Sequence, residues 1–153
     1  MSAFALDDAL IGDLGWQQPE SSIIGVPSPL VGLGFVYTNP GTVTQGILSV
    51  SFKMVNAAVA VSRIPVLSYL DPDGVAFAAV ASGFTTGSGI TSRYLFAQGI
   101  QEFGANDAAN IGVPIPPFKL DVSHSIAVTI VAKQTGDQVS AIRLALQQWH
   151  VRP

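Results

Sequence analysis

The 153-residue chain contains no cysteine. This excludes disulfides, thiolate metal sites and a cysteine nucleophile, and leaves the redox compartment open. Charge is scarce as well: 11% of residues are charged and 48% are hydrophobic, whereas an average soluble domain is about 25% charged. A monomer of this size needs a more charged coat than that. Either much of the surface is uncharged Ser, Thr, Gln and Gly, or neighbours cover part of it. Long apolar runs are lacking too. The mean hydropathy is +0.45, but each run breaks within about ten residues, and a spanning helix needs about 20. No membrane partner is expected. The N-terminus has acids where a secretory signal has basic residues, so no export signal is read there. Residues 1–52 carry Asp7, Asp8, Asp13 and Glu20 and no Lys or Arg. No basic cluster appears anywhere along the chain, so nucleic acid is not an expected partner.

What is present is β-like. From about residue 33 the apolar period is two. Leu48, Val50, Phe52 and Met54 alternate with Ser49, Ser51 and Lys53, the mark of a half-buried strand. Further strands are read in "VAVSRIPVLSYL", where Pro65 argues for an edge or a bulge, and in "VAFAAVA", "ITSRYLFAQ", "SIAVTIVA" and "VSAIRLALQQW". "GFVYT" at 34–38 and "IGVPI" at 111–115 are shorter candidates. About eight strands with Gly- and Pro-containing turns and no long helical pattern imply an antiparallel β-sandwich over 33–153. Its expected core comprises Leu48, Val50, Phe52, Ile126, Val128, Ile130, Ile142, Leu144 and Leu146.

Residues 1–32 read as a separate N-terminal arm or lead-in. Leu6, Leu10 and Leu14 recur at helical spacing, so a short helix is expected, ended by Gly12 and Gly15. Pro19, Pro27 and Pro29 then favour an extended path without ladder hydrogen bonds. The segment either lies on its own domain or packs on a neighbouring subunit. Leu6, Leu10, Leu14, Trp16, Ile23 and Ile24 are too apolar for a freely solvated tail and are the candidate interface residues. Trp149, at the far end, joins them because Trp is enriched at interfaces, although a core or rim position is the simpler reading for both tryptophans.

No constellation carries chemistry. "DPDG" at 71–74 has the composition of a calcium-loop start, an acid pair or a hairpin. A calcium loop needs Glu at its twelfth position, and Ser82 stands there. Pro72 pre-sets φ and Gly74 tolerates positive φ, so it is read as a turn. His124 and His150 have no metal-ligand spacing. "GLG" at 32–34 and "GSG" at 87–89 lack the rest of a phosphate loop. Asn106, Asp107 and Asn110 read as an Asx-turn loop, with weak cation binding as the lesser alternative. No enzyme activity, cofactor or metal is expected.

Arg63-Ile64-Pro65-Val66, the 71–74 hairpin, and Gly136-Asp137-Gln138 leading into a last strand that ends at Trp149 resemble a family of small tailed-bacteriophage virion structural proteins. The likeness covers about residues 43–150, with Val139 standing where the family pattern has an aromatic. It implies a jelly-roll β-sandwich and a non-enzymatic role as a capsid decoration or minor capsid protein. The implied location is the virion, on the capsid surface or at the neck, after synthesis in the host cytoplasm. The expected partners are further copies of the chain, with a trimer favoured, and other virion proteins such as the major capsid protein. The alternative is a receptor- or carbohydrate-binding jelly-roll module of the neck, tail or fibre, since jelly rolls serve both ends.

Overall fold

The computed structural model describes residues 19–148. They form ten strands and no helix: β1 (Glu20–Val26), β2 (Phe35–Thr38), β3 (Gln45–Val55), β4 (Ile64–Leu70), β5 (Ala76–Ala81), β6 (Thr91–Ala97), β7 (Asn110–Pro114), β8 (Lys119–Leu120), β9 (Ser125–Val131) and β10 (Gln138–Gln148). The first sheet has the order β1-β10-β3-β6-β7, with β8 also paired to β3, and the second has the order β2-β9-β4-β5. The fold is all-β and sandwich-like. The helix expected around Leu6, Leu10 and Leu14 lies outside the described residues.

One core is built from the inward faces of both sheets. Phe52 of β3 stacks on Tyr94 of β6 at 5.3 Å between ring centroids and meets Phe35 of β2 edge-on at 5.9 Å, so aromatic packing ties the sheets together. Val50, Phe52, Ile126, Val128, Ile130, Ile142, Leu144 and Leu146 are buried, as the alternation predicts. Leu48 is not: it is half-buried, and Ile47 takes the core position beside Leu146. The cause is a bulge. Between Ala145↔Ser49 and Leu146↔Ile47, β3 advances two residues while β10 advances one, and an inserted residue reverses which side chains face inward. A second bulge inserts Ala141, at φ 51°, between the Ser140↔Lys53 and Arg143↔Ser51 pairs. It lets both Val139 and Ile142 point inward although their spacing is odd. Val139, where the family resemblance has an aromatic, is 1% exposed.

Three further expectations are corrected. Residues 20–26 are not an irregular path but a strand, paired along its whole length with β10; Pro19 and Pro27 bracket it and leave its own amides free to bond. Pro65 is neither at an edge nor in a bulge. It is the second residue of β4, an inner strand between β9 and β5, and its carbonyl accepts from the Ser82 amide at 3.0 Å. Nor is the pairing wholly antiparallel, because β7 runs parallel to β6, carried round by the long 98–109 connection. The 71–74 segment is a hairpin turn. The Gly74 amide donates to the Asp71 carbonyl, Gly74 takes φ 81°, and Asp71 Oδ1 accepts from the amides of Asp73 and Val75.

Candidate interaction surfaces

The most polar point of the interior is a buried ion pair that joins two residues quoted above from distant motifs. Arg63 and Asp137 are each fully buried, with Arg63 Nη2 3.0 Å from Asp137 Oδ1 and Nε 3.1 Å from Oδ2. The remaining guanidinium N–H groups donate to the carbonyls of Ala57, Val59 and Val61. Asp137 also accepts from the amides of Ala57 and Gln134, both at 2.8 Å. All five guanidinium donors are therefore used, the condition under which a buried pair is tolerated. Burial by itself would raise the Asp137 carboxyl; the hydrogen bonds from Arg63, Gln134 and Ala57, with the guanidinium charge, outweigh it and hold the group below its ordinary value of 3.8. The pair clamps the β3–β4 and β9–β10 connections, both of which cross from one sheet to the other. It is a structural fastening with no free valence for chemistry.

The loop residues singled out as a possible cation site are engaged in the same way. Asn106 Oδ1 accepts from the Thr85 amide, and Asp107 Oδ1 from the Gly87 amide. Asp107 sits at φ 61°, a left-handed conformation that Asp tolerates. These side chains shape a loop, as Asx-type residues do. Among the described residues, no group of three His, Cys, Asp or Glu side chains converges. His124 is half-buried, its ring meeting Phe77 edge-on at 6.1 Å. His150, Leu6, Leu10, Leu14, Trp16 and Trp149 lie outside the described residues. Of the candidate interface residues only Ile23 and Ile24 can be placed, both on β1. Ile24 packs against the core, while Ile23 is 75% exposed.

The two outer faces differ sharply in charge. In the second sheet, β2, β4, β5 and β9 contain no Asp, Glu, Lys or Arg. Register places Val36, Ala127, Val66 and Ala81 on its outward side, together with Ile64, Val131, Ser68 and Ala79. The face ends at β5, "AFAAVA", which pairs only with β4. Its other edge presents unpaired backbone groups without the Lys, Pro or inward charge that ordinarily protects an edge strand.

The first sheet is the reverse. Its strands β3, β6, β7 and β10 contain no Asp or Glu. Three basic residues project from the outer face of these four strands: Lys53 lies directly opposite Arg93, and Arg143 stands on the far side of β3, opposite Ser51. Elsewhere in the sheet, β8 brings Lys119 opposite Gly46, and β1 begins with Glu20. Like charges directly opposite one another in a sheet are unfavourable by a few tenths to about 1 kcal/mol. The one ion pair between described residues is Arg63–Asp137, so neither Lys53 nor Arg93 is paired with a described carboxylate. Beside these residues runs a groove of about 430 Å³, lined by Ser51, Arg93, Leu95, Phe103 and Asn110 among others. Its wall is specific in shape: the Phe103 ring lies across Gly112, where an added Cβ would come within 2.0 Å of it. The linear sequence hides this face, because its three charges come from three strands far apart in the chain.

The chain matches no protein-family model, no curated protein and no solved structure.

Proposed function

We propose that this chain is a non-enzymatic jelly-roll subunit of a larger assembly, a decoration or minor capsid protein of a tailed-bacteriophage virion. The jelly-roll reading is supported by strand order. With β7 and β8 set aside as insertions, the eight remaining strands form two four-stranded antiparallel sheets, β1-β10-β3-β6 and β2-β9-β4-β5. First and last strands pair side by side in one sheet, and second and second-to-last in the other. Two interlocked Greek keys of this kind define a jelly roll. The virion setting comes from the resemblance over residues 43–150.

The observation that carries the assembly reading is the second sheet. Its outer face and its open β5 edge lack charge altogether, a surface that attracts partners unless it is covered. Contacts repeated around a symmetric assembly multiply modest pairwise affinities. The chain should sediment as a closed oligomer, and Ala79→Lys, at an exposed outward position in mid-β5, should convert it to a folded monomer. A monomeric wild-type chain, or an Ala79→Lys variant as oligomeric as wild type, counts against this interface. Mass spectrometry of purified particles tests the virion setting, and absence of the chain from them overturns it. The alternative, a receptor- or carbohydrate-binding module, draws on one observation: the groove where Phe103, 45% exposed, stands near Asn110 and Arg93.

A further inference from the structure

We propose that the basic outer face of the first sheet receives the acidic N-terminal residues 1–18 of a neighbouring copy. This inference rests on the assembly reading only in requiring a neighbour; it uses the opposite face of the domain. The face offers Lys53, Arg93 and Arg143 with no Asp or Glu on β3, β6, β7 or β10. Residues 1–18 offer the complement: Asp7, Asp8 and Asp13 with no Lys or Arg. Three carboxylates set against three unpaired cations relieve the cross-strand repulsion between Lys53 and Arg93 that the fold alone leaves standing. The apolar content matches as well. Leu6, Leu10, Leu14 and Trp16 alternate with these acids, and the groove beside the cations is walled by Leu95 and Phe103.

Backbone direction argues for a neighbour over the chain's own face. Glu20 begins β1 opposite Gln148, whereas Lys53 lies opposite Ser140 on the same strand β10. Eight residues of strand separate the two levels, about 26 Å at about 3.3 Å per residue. The chain preceding Glu20 therefore leaves the sheet at the end away from Lys53 and Arg93, where of the sheet's cations only Lys119 of β8 stands. Pro19 also disfavours a helical turn at the residue before it. To reach its own face the segment must reverse and run back along the sheet, whereas a neighbour set beyond that end meets it directly. Eighteen residues span up to about 60 Å when extended, so reach is not limiting.

The absence of cysteine makes the test specific. Full-length Ala9→Cys is mixed with full-length Asn110→Cys, whose thiol stands at the exposed groove wall, and a short bis-maleimide is added. A covalent heterodimer is expected at low ionic strength, reduced about tenfold by about 0.5 M salt or by Lys53→Glu with Arg93→Glu in the Asn110→Cys chain. Circular dichroism establishes that these variants are folded. Charge exchange supplies the control that a purely structural effect cannot mimic: Asp7→Lys with Asp8→Lys in the other chain should restore the heterodimer. Three results overturn the proposal. One is no heterodimer between the two cysteine variants while the wild-type chain sediments as an oligomer, which leaves the second-sheet interface intact. Another is a heterodimer indifferent to salt and charge reversal. The last is a chain carrying both cysteines that closes only on itself at high dilution.

Discussion

Replacing Asp137 with Asn probes the clamp between the two sheets. The substitution keeps size and shape but removes the negative charge. It also turns one acceptor atom into an NH2 donor facing groups that are already donors, either Arg63 Nε and the Gln134 amide or Arg63 Nη2 and the Ala57 amide. Arg63 stays fully buried and loses its counter-charge. Removing one partner of a buried pair costs about 3–5 kcal/mol, a large part of the stability of 5–15 kcal/mol typical of a domain. At about 2–4 °C per kcal/mol for a chain of this length, the melting temperature should fall by roughly 6–20 °C. Thermal and urea unfolding followed by circular dichroism give both quantities. The double variant Arg63→Met/Asp137→Leu should not recover wild-type stability. The Val61 carbonyl and the amides of Ala57 and Gln134 would lose the partners this pair supplies, while the Ala57 and Val59 carbonyls keep the amides of Gly89 and Val61. Each buried orphan costs about 1–3 kcal/mol. An Asp137→Asn protein within about 1 kcal/mol of wild type would refute the account of a fully used, buried pair.

Acid should act through the same carboxylate. Asp137 is held below its ordinary value of 3.8 in the folded chain, so its contribution is fully present above that value and is lost as pH falls through the lower folded value. Urea midpoints measured across the acid range should drop steeply in wild type and less in Asp137→Asn. Tyr69→Phe should leave stability unchanged or raise it by about 1 kcal/mol, because the Tyr69 hydroxyl is buried without a hydrogen-bond partner and such a group costs more than it contributes. The same variant should resist alkali better. Burial pushes the Tyr69 hydroxyl up to about 12 from 10.0, so stability present below pH 10 is lost as pH rises toward 12; equal alkaline unfolding of the two proteins would contradict this. Val128→Asp should prevent folding, since Val128 is fully buried between Phe35 and Leu67 and an unpaired charge there is very costly. A soluble, cooperatively melting Val128→Asp protein would undo the core assignment.

Local pattern determined the β class, most strand positions and the 71–74 turn, because a strand facing a core must alternate and a tight hairpin must place Gly where φ is positive. Thus Val50, Phe52, Val128 and Leu144 were legible as core, and Asp71–Gly74 as a turn and not a site. What escaped the sequence were the features in which register or distance enters. Leu48 and Ile47 exchange roles because of one inserted residue, and single-residue bulges leave no mark in hydropathy. The parallel β6–β7 pair and the central position of Pro65 depend on which strands become neighbours. Arg63 and Asp137 stood in view as separate motif residues, yet they are 74 positions apart, and only the paired crossovers at one end of the sheets bring them into contact. Lys53, Arg93 and Arg143 likewise looked dispersed until β3, β6 and β10, which contain no Asp or Glu, set them on one face. Periodicity is a property of neighbours along the chain, whereas charge pairing and surface composition are properties of neighbours in space, which only the tertiary structure decides.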